Sequence, residues 1–306
     1  MVDQPPWIWD KGVSPETPIL MELERFSPPA GLRRRPAVFR ALGRREPPTE
    51  VETGGRKWKL REVFKHDSWA ATALYGGDRD AVVVKFNRTH PILILPMAWL
   101  GRWLAARESR AYSLLAGLRG IPASCGEVLV GGHRWPNAFA HHYIPGHPLA
   151  KEERPGAGFF DELERLLDAM HNRGLAYLDL NKRENVIVSE DGLPVLVDFQ
   201  IHFAAGKVCR KFPLMGWITG QLQAGDIYHF KKLKLYHTES PEAVAQLPIP
   251  WSSKLWRMLY VHPVQWVRRR LLVALRIRRG EGLAWSELEP EKAVRLAKKT
   301  RKGAAP

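Results

Sequence analysis

Apolar and polar positions divide this chain into an unpatterned front, a strand-rich middle and a helix-rich remainder. Residues 1 to about 55 keep no sustained period. Pro28-Pro29, Arg33-Arg34-Arg35-Pro36 and Pro47-Pro48 predict a largely extended or disordered leader, with short helical turns at Leu20–Phe26 and Ala37–Leu42. Order is expected from Trp58 to Phe64, as a strand. The β-branched run Ala81-Val82-Val83-Val84-Lys85-Phe86, after the turn-forming Gly76-Gly77-Asp78, predicts a buried strand that ends in a lysine. Pro91–Leu104 is apolar and rich in tryptophan, but Pro91, Pro96 and Gly101 interrupt it, and it is too short to span a membrane. Ala105–Leu118 has helical spacing, with Glu108 near its start and Ala111, Leu114, Leu115 and Leu118 on one face.

Two further strands are expected at Gly126–Val130 and Ala138–Ile144, closed by Pro145-Gly146 as a connector. Phe159–His171 reads as an amphipathic helix. Val186-Ile187-Val188 and Pro194–Val197 flank Glu190-Asp191-Gly192 as a β-hairpin, and the rest reads helical. That order predicts an α+β chain in two lobes around a cleft. The expected division is a leader to residue 55, a β-rich lobe over 56–145, a helical lobe over 146–250 and a helical extension over 251–306.

Composition narrows the class. A chain of 306 residues, 45% hydrophobic and 26% charged, has ample material for a core. Cys125 and Cys209 are its two cysteines, in no metal-ligand spacing, which predicts free thiols in a reducing cytosol. The first residues lack a signal-peptide pattern, so the expected location is cytoplasmic. Net charge is +15, and residues 251–306 hold 14 Lys or Arg against 4 Glu. There Trp256, Leu259, Trp266, Leu271, Leu272 and Leu275 interleave with Arg268-Arg269-Arg270 and Arg276 to Arg279. Such interleaving suits a helix lying on the anionic inner face of a membrane, and equally a final helix with a solvated basic face. No zinc-finger or ribonucleoprotein signature supports nucleic acid as a partner.

Candidate chemistry lies in four features in a fixed order. Phosphoryl transfer from a nucleoside triphosphate needs a cation on the phosphates, hard oxygens for magnesium and a carboxylate near the attacking hydroxyl. Lys85 supplies the first from its strand, and Glu108 can hold it as an ion pair. Asp179, within Tyr177-Leu178-Asp179-Leu180-Asn181, lies between a helix and a hairpin. Asn185 ends that loop and Asp198 follows the hairpin, both offering oxygens that suit magnesium.

At these residues the sequence resembles the protein-kinase superfamily. Leu178-Asp179-Leu180-Asn181-Lys182-Arg183-Glu184-Asn185 resembles the catalytic loop, and Val197-Asp198-Phe199-Gln200 the D-F-G motif. Val84-Lys85 is similar to the lysine strand, Glu108 to its helical partner, and Asp226 to the buried aspartate that braces the catalytic loop. Met170-His171-Asn172-Arg173-Gly174-Leu175-Ala176 and the Asp-Phe-Gln variant are similar to the atypical bacterial group, the lipopolysaccharide-core sugar kinases and RIO-type kinases. The resemblance covers roughly residues 58–240. It implies a two-lobed kinase-like fold and dependence on ATP and Mg2+. Asp179 is then the catalytic base, Asn185 and Asp198 the metal ligands, and Lys85 with Glu108 the phosphate-positioning pair. The implied acceptor is a hydroxyl, on a protein serine or threonine or on a lipopolysaccharide-type glycolipid.

Three departures go with it. The loop holds one residue more than usual between Asp179 and Asn185, so Asn181 and Lys182 compete for the place facing the γ-phosphate. No G-x-G-x-x-G precedes Lys85; Lys65-His66-Asp67-Ser68-Trp69-Ala70-Ala71 stands there and is expected to use small residues and backbone amides instead. Tyr177-Leu178 replaces the family's His-Arg, which removes the usual partner of a phosphorylated activation loop. The missing glycine-rich loop and the longer catalytic loop keep open a non-catalytic kinase-like scaffold, while the net charge and the RIO-type likeness keep open a RIO-like RNA- or ribosome-associated factor. His141, His142 and His147 are expected to be core or edge histidines rather than metal ligands.

Overall fold

The computed structural model of the protein describes residues 37–239 apart from 78–79, 93 and 206–211, together with 244, 247 and 248. Leu20–Phe26, Cys209 and the basic 251–306 segment lie outside the described residues.

After a 3-10 turn at Ala37–Phe39, strands β1 (Glu50–Thr53), β2 (Arg56–His66), β3 (Ala70–Gly76) and β4 (Ala81–Asn87) form an antiparallel meander. Helix α1 spans Ala98–Leu115. Short strands β5 (Ser124–Gly126), β6 (Leu129–Val130), β7 (His133–Arg134) and β8 (Ala138–His142) complete an eight-stranded sheet in the order β5-β8-β4-β3-β2-β1-β6-β7. Register shifts between Leu60 and Glu62 and between Val63 and Lys65 let β2 bend, and the sheet curls. The remainder holds β9 (Gly146–Pro148), α2 (Phe159–Asn172), β10 (Leu175–Ala176), β11 (Val186–Ser189), β12 (Pro194–Leu196), β13 (Phe203–Ala204) and α3 (Pro213–Thr238). The class is α+β, with α1 inserted between β4 and β5 of the sheet and α2 and α3 after it.

Strand periodicity explains where β4 sends its side chains. Val82, Val84 and Phe86 join Trp58, Tyr75, Val128 and Ala140 in the core of the sheet. Their alternates Val83, Lys85 and Asn87 are also buried, on the opposite face, which is why the run reads as continuously apolar. A second core holds Tyr112 and Leu115 of α1, Phe139 of β8, Leu163, Leu167 and Met170 of α2, and Phe230 and Leu233 of α3. Phe139 and Ala140, adjacent on β8, therefore serve different cores.

Several expectations need correction. The leader assigned to residues 1–55 includes real structure: β1 pairs with β2 and buries Val51 and Thr53, while Ala41 and Leu42 are also buried. Four residues of alternating pattern were too short a signal among the prolines. Helix α1 starts at Ala98, seven residues before the expected Ala105, and ends at Leu115 rather than Leu118. Gly101 sits inside it, because a Cβ there would collide with the Arg88 carbonyl and the Asn137 amide. Glu108 is thus mid-helix, and Leu114 is exposed. The strand expected over Gly126–Val130 is two strands, β5 and β6, parted at Gly126 with φ +81°. Strands β3, β10 and β13 carried no expectation. The Phe159–His171 helix and the Val186/Pro194 hairpin stand essentially as read.

Candidate active site

Four separate stretches of chain, β4, α1, the loop between β10 and β11 and the turn after β12, supply the candidate residues. Lys85 Nζ lies 2.6 Å from Asp198 Oδ1 and 3.2 Å from Glu108 Oε2. The helix α1 delivers Glu108 to the non-sheet-core face of β4, and β12 delivers Asp198 just beyond its end. Asp198 has φ +60°, a left-handed conformation that costs a non-glycine residue about 1 kcal/mol or more. Its side chain remains 34% exposed, against 11% for Lys85 and 2% for Glu108, so the carboxylate open to a ligand is Asp198.

The loop between β10 and β11 makes the second half. Lys182 Nζ lies 2.7 Å from Asp179 Oδ2, and Asn185 Nδ2 donates to the same oxygen at 3.0 Å. Asn185 thereby commits its nitrogen end to Asp179, and its oxygen end is the one left for a cation. Lys182, not Asn181, reaches the aspartate. The extra residue is absorbed by two tight turns, with Lys182 N donating to Asp179 O and Asn185 N to Lys182 O. Leu178, at φ +67°, is the other strained non-glycine residue among those described.

Asp226 holds this strain in place. From α3 its carboxylate accepts the backbone N–H groups of Tyr177 and Leu178, each at 2.7 Å, and lies 3.1 Å from His171 Nε2. Charge-assisted acceptance of two adjacent amides fixes the entry to the loop from below. Tyr177 packs on Phe199 with ring centroids 5.0 Å apart and donates its hydroxyl to the Val197 carbonyl. Phe199 in turn meets Tyr112 at 5.0 Å, and Tyr112 meets Phe139 at 4.6 Å. This aromatic chain ties the loop and the Asp198 turn to α1 and the sheet.

The electrostatics follow from burial and unequal sharing of one ammonium. Burial raises the Glu108 carboxyl to about 7, only partly offset by Lys85. Burial also opposes charge on Asp198, but Lys85 and Lys182 outweigh it and hold Asp198 below the usual carboxylate range. For Lys85 burial is overcome by Asp198 and then Glu108, so its pKa is raised and it stays charged. Burial pushes Asp179 up, with Lys182 opposing, which makes it the more basic of the two loop-facing aspartates.

Some contacts had no signal in the sequence. Gln200 Nε2 donates to Asn87 Oδ1 at 2.7 Å, joining the residue after Phe199 to the strand residue two beyond Lys85. His141 is stacked on Tyr112 and driven to about 4 by burial, so it is neutral. His147 meets a carboxylate, Glu153, at 2.9 Å on the exposed edge strand β9.

The Lys65–Ala71 stretch spans the β2–β3 turn, and two of its amides are already taken there. Asp67 Oδ1 accepts Trp69 N at 2.7 Å and Ala70 N at 3.0 Å, an Asx-type turn that closes both donors. Among the described residues no three His, Cys, Asp or Glu side chains cluster as a metal site. Compared with protein-family models and with curated proteins, the chain matches none.

Proposed function

We propose that this cleft transfers a phosphoryl group from ATP to a hydroxyl acceptor, in a two-lobed kinase-like fold whose lobes are the curled sheet and the helical remainder. The observation that carries the reading is the cluster of Lys85, Glu108 and Asp198 together with that of Asp179, Lys182 and Asn185, near enough that Lys182 holds Asp198 down and Asp198 pushes Asp179 up. Two residues at positive φ, Leu178 beside Asp179 and Asp198 itself, support the reading, since strain of this kind clusters at functional sites.

Two protein oxygens, from Asp198 and Asn185, are few for a resident metal but suit magnesium, which commonly takes one or two carboxylate-type ligands and fills its shell with water and phosphate. Bound there, the ion would neutralise phosphate charge. Lys85, held charged at the end of a buried strand, positions the phosphates. Asp179, kept more basic by burial, orients the acceptor hydroxyl and takes its proton. Lys182 offsets negative charge beside it. The acceptor is a protein serine or threonine or a glycolipid hydroxyl; the resemblance favours the first and the basic, tryptophan-rich periphery the second. The setting is the cytoplasm, at the inner membrane surface for a glycolipid.

A second reading, a kinase-like scaffold without turnover, draws on the β2–β3 turn, whose Trp69 and Ala70 amides are already taken by Asp67. Both are tested by ATP turnover with magnesium, comparing wild type with Asp198→Ala and Asp179→Ala over protein and glycolipid acceptors. The expected result is wild-type turnover that falls by about 100-fold or more in each variant. Absence of both nucleotide binding and turnover in the wild type leaves the scaffold reading; turnover indifferent to Asp198→Ala removes the site assignment.

A further inference from the structure

Beyond Lys85 the chain runs from Phe86 to Arg107 without one carboxylate, and it shows a large share of its apolar side chains to solvent. Ile94 is 93% exposed, Leu95 61%, Trp99 59% and Trp103 49%. Trp99 and Trp103 stand one helical turn apart, and Arg102, Ala106 and Arg110 continue the exposed side of α1. The helix has one acidic residue, Glu108, and it is buried against Lys85.

This apolar tip is built into the fold. Ile92 and Leu95 exchange backbone hydrogen bonds in both directions, at 3.1 and 2.9 Å. Immediately before them the buried Arg88 guanidinium binds the carbonyls of His90 at 2.7 Å and Pro91 at 3.0 Å. On the far side Asn137 Nδ2 donates to Arg88 O at 3.2 Å and Ala98 O at 2.8 Å, which locks the tip to the start of α1. A frayed loop would turn its isoleucine and leucine inward; this one is pinned with them outside.

Those features match what an interface between water and lipid demands. The backbone groups that Ile92 and Leu95 exchange keep their partners when the tip leaves water. Tryptophan settles at headgroup depth, aliphatic side chains go deeper, and arginine binds headgroup phosphate. The lack of carboxylates suits a uniformly anionic surface, whereas a mixed-charge protein partner would leave the arginines uncomplemented.

The geometry points to a docking surface for an anionic lipid bilayer, made by the Ile94–Leu95 tip and the exposed Trp99, Arg102, Trp103 and Arg110 of α1. The helix lies on the bilayer; among the described residues no helix is long and apolar enough to cross one. This surface is distinct from the basic 251–306 segment and does not rest on the nucleotide reading.

Co-flotation of the full chain with vesicles tests it, using phosphatidylcholine alone and phosphatidylcholine with about 30 mol% phosphatidylglycerol. Wild type is expected to float with the anionic vesicles and to keep part of that binding in high salt, since the apolar contribution is not screened. The variant Trp99→Ser/Trp103→Ser is expected to bind about tenfold more weakly or worse, with its unfolding midpoint unchanged, and Ile94→Ser to add to the loss. Asp198→Asn is expected to float as wild type, which separates this surface from the nucleotide site. Failure of the wild type to float overturns the proposal. So does full binding by the double tryptophan variant, with loss only when Arg268, Arg269 and Arg270 are neutralised. Conversion of a lipid-free dimer to a monomer by the tryptophan changes, with flotation intact, assigns the face to a second copy of the chain instead.

Discussion

Lys85 and Arg88 lie three residues apart at the end of β4, both buried, yet their charges are satisfied by opposite means. Lys85 faces two carboxylates, Asp198 and Glu108, whose protonation can change. Arg88 is 1% exposed and is satisfied by backbone carbonyls: Ser68 at 2.6 Å, His90 at 2.7 Å, Val38 at 2.9 Å and Pro91 at 3.0 Å. Carbonyl oxygens do not titrate, and they belong to three separate segments. The arginine therefore works as a fixed rivet, holding the Ala37–Phe39 turn, the β2–β3 turn and the Ile94 tip together. The lysine sits in an adjustable electrostatic balance. One strand end thus carries both the rigid frame and the titratable cluster placed against it.

The sharpest way to break the contrast is Arg88→Met, which removes four hydrogen bonds and leaves four carbonyls without that partner. A loss of about 3–5 kcal/mol in urea-unfolding free energy is expected, with no dependence on pH near neutrality. Lys85→Met is expected to cost less stability, about 1–3 kcal/mol at about pH 8, because Glu108 can take up a proton and relieve the bare carboxylate pair. That cost should shrink at about pH 5, while turnover falls by about 100-fold or more. A cost for Lys85→Met that equals that of Arg88→Met and does not vary with pH would erase the distinction.

Arg88→Lys sharpens the comparison further. An ammonium keeps the charge but not the planar fork, so the expected loss is about 1–2 kcal/mol, read from the same unfolding curves. The smallest effect is expected from Glu108→Gln, and it lies in the slope. A carboxyl raised to about 7 when folded, from an ordinary value of 4.5, binds its proton more tightly in the folded state. Stability then declines as pH rises through that interval and is recovered as pH falls. Asp198 acts with the opposite sign: its folded pKa lies below the ordinary 3.8, so its contribution is present above that value and lost in acid. Wild-type stability should peak between the two, and Glu108→Gln should remove on the order of 1 kcal/mol of the decline between about pH 5 and pH 7.

Local signals in the sequence reached some of these elements and not others. Helix α2 and the β11–β12 hairpin were legible because each buries one face against the rest, and that leaves a period of 3.6 or 2 in the residues themselves. The start of α1 was not. Pro96 and Gly101 argue for a break, and only the nearness of the Arg88 backbone shows why glycine stands within a continuing helix. Strand β1 was hidden for a related reason: it is four residues long and owes its order to pairing with β2. The Asp67 turn misled in the other direction, since its small residues hinted at open amides while the aspartate beside them closed two.

The sequence by itself determined which groups of the candidate site exist and in what order: Lys85, Glu108, Asp179, Lys182, Asn185 and Asp198. Residue type and spacing carry that information, and the site needs no other source for it. Only the tertiary structure decided how charge is divided among them, because Glu108 rises and Asp198 falls according to burial and distance from one shared ammonium. It also decided that Lys182 rather than Asn181 reaches Asp179, and that Arg88, an ordinary arginine in the sequence, is the rivet. Hydrogen bonds to carbonyls leave no pattern in side-chain identity, since every residue has a carbonyl. Such a partner becomes visible only when the chain has folded around it.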